Sequence, residues 1–226
     1  MDNSGERSQA AAKIIHYRTE LHPYQDVPRV EENRDGQTYL KVFHGLQHFL
    51  KEAIALQPEK PLVIDVGTGQ GKGISQVLDM LGLTDKVTLI GTSLRYNETL
   101  MKQLANVRLT GVETLRGIQD SSVAAMLGLN SVAHSGSLTL AARSIDRVLK
   151  PGGLFKMTFV KEFSDFVDYL KSMGYDLQEV ADTNTRLTIL LGRKPFPEKK
   201  MKSARVLFLK DHDSMYKQLA MGLDKK

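Results

Sequence analysis

The residues from Asp65 to Gly73, DVGTGQGKG, combine one acid with four glycines and a lysine, a set that can cradle a ligand against bare main chain. Leu62, Val63, Ile64 and Val66 form the short β-branched run expected of a central parallel strand. Gly67, Gly69 and Gly71 then remove every Cβ where the chain must bend and where a ligand would approach. The spacing predicts a helix over 73–81, with its positive end directed at the loop. Two familiar cradles are excluded by that spacing. A dinucleotide fingerprint, G-x-G-x-x-G, would need glycine at Lys72, and a nucleoside triphosphate loop would need glycine at Val66 and Ser or Thr at Gly73.

Further along, residues 141–160, AARSIDRVLKPGGLFKMTFV, read as a helix ending at Leu149 and Lys150, a Pro-Gly-Gly turn and an apolar strand over 154–160. Phe163 to Met173 has helical spacing and Gly174 stops it. Leu177–Val180 and Leu187–Leu191 then read as two strands joined by a turn at Asp182, Thr183 and Asn184. The acidic-x-Gly-x-Gly-x-Gly loop and the RVLKPGG turn resemble the class I S-adenosylmethionine-dependent methyltransferases, and the likeness in element order spans about residues 40–195. It implies an α/β fold of three layers, with a seven-stranded, mostly parallel sheet of Rossmann-like type ending in an antiparallel hairpin. The implied cofactor is S-adenosyl-L-methionine.

The resemblance assigns roles residue by residue. Asp65, Gly67, Thr68, Gly69 and Gly71 would hold the cofactor's amino acid and ribose parts. At the end of the second strand, Val87–Thr92, the family places an acid on the ribose hydroxyls; here Ser93 stands there with Thr92 beside it. A serine lacks a carboxylate's charge-assisted, two-pronged grip, which weakens binding by about 1–3 kcal/mol, and Glu98 is the nearest replacement acid. After strand three, Val112 takes the adenine-contacting position, with Glu113 next to it. After strand four, Val123–Leu127, the loop GLNSVAHSGSL brings Gly128, Asn130, Ser131 and His134 toward the reacting methyl group, with Asn130 and His134 as the catalytic candidates. That loop has no Asn-Pro-Pro-Tyr or Asp-Pro-Pro-Tyr, which argues against adenine amino methylation. The absence of cysteine excludes a covalent route to pyrimidine carbon-5.

Composition bounds the rest. The chain has 226 residues, enough for one α/β core, read as a helical extension or cap over 1–57, a methyltransferase-like domain over 58–195 and a basic arm over 196–226. In the first segment Ala10, Ile14, Ile15 and Tyr17 suggest one helix, and Tyr39, Phe43, Leu46, Phe49, Leu50 and Ile54 a second. In the family such helices lie over the cofactor cleft, which makes Tyr17, His22, Tyr24 and Tyr39 candidate lining residues. His44 and His48 have half of a metal site's spacing, but no glutamate lies between them and no third ligand is evident, so no metal is expected. Neither a signal sequence nor an 18-residue apolar run is present, no membrane association is expected, and a cytoplasmic location fits best.

With 31 Lys plus Arg against 26 Asp plus Glu, the net charge is +5. Much of this excess lies between Arg193 and Lys210, where it would attract RNA or an acidic partner or serve as a solvated tail. The apolar run Arg205–Leu209 within it asks for burial. Two functions remain open. One is a methyltransferase acting on an oxygen or nitrogen of a small-molecule or macromolecular acceptor. The other is a catalytically reduced binding or assembly module of the same fold, docking on RNA or a protein.

Overall fold

The computed structural model describes residues 34–94, 98–160, 163–182 and 187–197. The proposed first helix, Tyr17, His22, Tyr24, the turn residues Thr183 and Asn184, and the run Arg205–Leu209 lie outside these. The elements, in chain order, are α1 (Gly36–Val42), α2 (Leu46–Leu56), β1 (Leu62–Asp65), α3 (Lys72–Met80), β2 (Thr88–Ser93), α4 (Glu98–Gln103), β3 (Val107–Leu109), β4 (Val123–Gly128), α5 (Leu138–Val148), β5 (Leu149–Phe159), α6 (Ser164–Ser172), β6 (Asp176–Asp182) and β7 (Leu187–Arg193).

The seven strands form one sheet in the order β3-β2-β1-β4-β5-β7-β6. All pairings from β3 to β5 are parallel, and β7 enters antiparallel between β5 and β6. The mostly parallel sheet with a terminal hairpin is therefore as the sequence predicts. Parallel strands covered on both faces read as unbroken apolar runs, and β4 accordingly has no exposed residue. One face of the sheet packs Ile64, Met126, Phe155 and Met157 against Ala141 and Ile145 of α5 and Phe166 and Leu170 of α6. The other packs Val63, Leu127 and Leu154 against Tyr39, Leu50 and Ile74 of α1, α2 and α3. The order of the strands reverses between β1 and β4, so the connections leaving their carboxyl ends run to opposite sides of the sheet, the place where open α/β sheets bind ligands.

Two local readings change, and one contact is new. The single helix expected from Tyr39 to Ile54 is two, because Gly45 adopts a left-handed conformation (φ 71°) and breaks it. The Pro-Gly-Gly segment does not precede β5 but bulges within it: Val123 pairs with Leu149 and Ala125 with Leu154, leaving residues 150–153 looped out of register. The arginine of the same motif, Arg147, clamps the preceding loop by donating to the carbonyls of Ile118, Thr114 and Leu115 at 3.0–3.1 Å.

Lys156 is the unexpected core residue. It lies on β5 between Leu127 and Leu191, is buried, and donates to the His44 carbonyl in the turn joining α1 to α2. Burial lowers its ammonium to about 8.

The hairpin rests on a close approach. A Cβ at Gly192 would stand 2.1–2.2 Å from the ring of Phe155, itself fully buried. Gly192→Ala is therefore expected to lower the unfolding free energy by about 1–3 kcal/mol, measured by urea titration.

Candidate functional site

The site is built from the loop after β1. Asp65 ends that strand fully buried, and its carboxylate accepts the Tyr39 hydroxyl at 2.9 and 3.0 Å and the Thr68 hydroxyl at 2.6 Å. Burial pushes its carboxyl up to about 6, while the hydrogen bonds from Thr68 and Tyr39 and the charge of Arg34 pull the other way. The Thr92 side chain holds the loop from β2, its hydroxyl accepting the Gly67 amide at 3.1 Å and its carbonyl accepting the Thr68 amide at 3.0 Å. Thr68 and Thr92 are both buried and serve the loop's own geometry.

The glycines divide by what surrounds them. Gly67, Gly69 and Gly71 all have positive φ, at 64°, 58° and 81°. A Cβ on Gly67 would meet Ser131 at 2.5 Å, and one on Gly71 would meet Leu100 and Leu104 at 2.9 Å. Gly73, read from sequence as the opening of a helix, lies against the Tyr39 ring, which a Cβ there would strike at 2.3 Å. Gly69 is exposed at the loop's tip. Bare main chain is thus presented to solvent at Gly69, while the space beside Gly67 and Gly71 is taken by side chains of the protein.

The loop after β4 faces this turn. Asn130 adopts a left-handed conformation (φ 54°), and its amide donates to the Thr158 hydroxyl at 2.6 Å. Buried Asn130 Oδ1, Ser131 Oγ and Ser135 Oγ have no hydrogen-bond partner among the described residues. Buried polar groups are almost always paired, so three such atoms on one loop set it apart from the rest of the described chain. Gly128 is buried beneath, with Ser131 Oγ 3.1 Å from where its Cβ would be. His134 is exposed on the single 3₁₀ turn Val132–His134.

The remaining predicted contacts lie at the ends of β2 and β3. Ser93 is half-buried at the end of β2, its carbonyl accepting the Thr110 amide at 2.9 Å. Glu98 pairs with Lys102 at 2.8 Å on the exposed surface of α4 and supplies no replacement acid at β2. Val112 is part of the core, and the carboxylate of Glu113 accepts the Gly136 amide at 2.8 Å, just ahead of α5. The half metal site does not form on one helix, since His44 lies in the turn between α1 and α2; among the described residues no His, Cys, Asp or Glu cluster could hold a metal ion. The sequence marks Tyr39 as a lining residue but carries no sign that it partners Asp65, because a separation of 26 positions hides the contact.

A seven-stranded sheet in this order, with a glycine loop after β1 at the reversal point, has the fold of the class I S-adenosylmethionine-dependent methyltransferases. The carbon methyltransferase CurJ superimposes with a TM-score of 0.51 at 12% identity, over 71% of this chain and 56% of that one. The [4+2]-cyclase SpnF gives 0.49 at 15% identity, over 67% and 81%. A geranyl diphosphate methyltransferase, solved in complex with GPP and sinefungin, gives 0.48 at 11% identity, over 65% and 77%. No protein-family model matches the sequence, and the search of curated proteins found no match. At such identities the likeness establishes the fold.

The raised carboxyl of Asp65 has a stability signature. An acid whose folded value lies above its ordinary 3.8 binds its proton more tightly when folded, so its contribution is present below about pH 4 and is lost as pH rises to about 6. Unfolding free energies of the wild type minus those of Asp65→Asn should therefore fall across that window, by at most on the order of 3 kcal/mol, and level off above it. Urea titrations at pH 4, 5, 6 and 7 measure this.

Proposed function

We propose that this chain is an S-adenosylmethionine-dependent methyltransferase that transfers a methyl group to an oxygen or nitrogen atom of its acceptor. The observation that carries this reading is the meeting of two loops at the reversal point. The glycine loop offers exposed main chain at Gly69, and the β4 loop, packed against it through Ser131 and Gly67, holds three buried polar atoms that are unpaired among the described residues. The residues present fit the cofactor. Asp65 and Thr92 set the loop from behind, Gly69 admits close approach, and Asn130 and Ser131 would supply hydrogen-bonding oxygens from the β4 loop. S-adenosylmethionine supplies a methyl group already activated on sulfonium, so the protein needs chiefly to bind, align and exclude water.

In this reading His134, exposed beside the β4 loop, is the candidate base for an acceptor that must lose a proton. Among the described residues no helix is long and apolar enough to cross a membrane, and we assign the protein to the cytoplasm.

A second reading, a methyltransferase fold kept as a binding module, is favoured by the acids. Ser93 stands at the ribose position, Glu98 pairs with Lys102, Glu113 caps the approach to α5, and Asp65 is engaged by Tyr39 and Thr68. The basic run after Arg193 would then dock on RNA or an acidic protein surface.

Titration calorimetry separates the two. The enzyme reading expects micromolar binding of S-adenosylmethionine and S-adenosylhomocysteine, abolished by Gly69→Arg, and is overturned by the absence of heat at millimolar ligand. The module reading expects RNA binding that weakens steeply with salt and is lost on deletion after Pro197; binding insensitive to salt in the intact chain counts against it.

A further inference from the structure

We propose that Tyr39 is a positioning residue coupling the docking of α1 to the conformation of the Val66–Gly71 loop, so that a ligand on that loop and closure of α1 are one linked equilibrium. The nature of that ligand, a cofactor, rests on the reading above; the coupling itself does not.

Helix α1 has only seven residues, too few to persist without tertiary contacts. Its anchors are few and specific. The Gly36 amide donates to Gln76 Oε1 at 2.8 Å, Arg34 donates to the Leu129 carbonyl, and the Tyr39 hydroxyl reaches Asp65. Of these, Tyr39 places its hydroxyl on both oxygens of the acid that opens the loop, and the Arg34 guanidinium adds its charge. The Tyr39 ring lies over Gly73, where any side chain would hold it away, and its hydroxyl shares one proton between the two carboxylate oxygens.

From Asp65 the connections continue in a line. Oδ2 accepts Thr68 Oγ1, the Thr68 amide donates to the Thr92 carbonyl, and the Gly67 amide donates to Thr92 Oγ1. A displacement of α1 therefore withdraws a donor from Asp65, leaving a buried carboxylate on Thr68 alone, and Thr68 is the residue that sets the loop against β2. The groups acting on Asp65 are the Thr68 and Tyr39 hydroxyls and the Arg34 guanidinium. Because coupling between two sites is reciprocal, disturbing the loop must loosen α1 as much as disturbing α1 loosens the loop.

Two substitutions test this in the ligand-free protein. Tyr39→Phe keeps the ring over Gly73 and removes only the hydroxyl; Thr68→Val keeps the shape of the loop residue and removes its bond to Asp65. With amide exchange followed by NMR, Tyr39→Phe is expected to accelerate exchange about tenfold, the equivalent of one hydrogen bond, at Thr68 and Gly71 as well as at Tyr39 and Phe43 of the α1 region. Thr68→Val is expected to accelerate Phe43, a residue distant in sequence from the substitution. Carboxyl carbon NMR should place the wild-type Asp65 midpoint near pH 6, and Tyr39→Phe should move it upward, since the lost hydroxyl favoured the ionised form. Val42→Ala, which weakens the apolar seat of α1 and leaves the Tyr39 hydroxyl in place, should through the same coupling accelerate exchange at Thr68 and Gly71.

The proposal is overturned if Tyr39→Phe changes α1 amides alone with the Asp65 midpoint unmoved, or if Thr68→Val leaves Phe43 at its wild-type rate. Adding S-adenosylhomocysteine to the wild type should protect the α1 amides. If that compound gives no heat, the cofactor reading falls while the two substitutions still decide the coupling.

Discussion

A carboxylate with no exposed surface, at the carboxyl end of the central strand, must be satisfied by the protein around it, and much of the site's construction follows from that need. Asp65 has no water to solvate its charge. Its partners come from two directions: Tyr39 from a helix far earlier in the chain, and Thr68 from the turn it introduces. Meeting both demands draws α1 onto the sheet and folds the glycine loop back toward β2. The upward displacement of its carboxyl to about 6 shows that hydrogen bonds only partly offset the cost of burial.

The glycines around this acid have separate causes. Positive φ is common to the three after Val66, but the neighbours differ: Ser131 beside Gly67, Leu100 and Leu104 beside Gly71, solvent at Gly69. Gly73, outside the turn, makes way for an aromatic ring. A pattern that reads as one ligand cradle is therefore partly a packing solution, in which absent Cβ atoms let a helix, a ring and a neighbouring loop close on the strand end. Exposed main chain is concentrated at the tip.

This division bears on activity. The fold brings the glycine loop and the β4 loop together where the strand order reverses between β1 and β4, and the β4 loop carries buried polar atoms unpaired among the described residues. Against these stand acids committed elsewhere, Glu98 to a lysine on its own helix and Glu113 to a backbone amide before α5. A methyltransferase needs less from its side chains than a hydrolase does, because alignment supplies most of the acceleration.

Local chemistry decided much of what was legible beforehand. The apolar run of β1, the helical stripe of α5 and the alternation of the last two strands follow from short-range periodicity, and the order of these elements with the two glycine motifs defined an α/β sheet with a terminal hairpin. Three features needed the folded chain. The break at Gly45 depended on which glycine turns left-handed, the bulge at residues 150–153 on the register that β4 imposes, and the burial of Lys156 on a carbonyl from a distant turn. The same holds at the site: residue types and spacing marked Asp65 and the loop after it, whereas the pairing with Tyr39, the commitment of Glu113 and the unpaired atoms of the β4 loop arose only when segments far apart in sequence were brought within hydrogen-bonding distance. Periodicity is written in neighbours along the chain, and partnership is written across it.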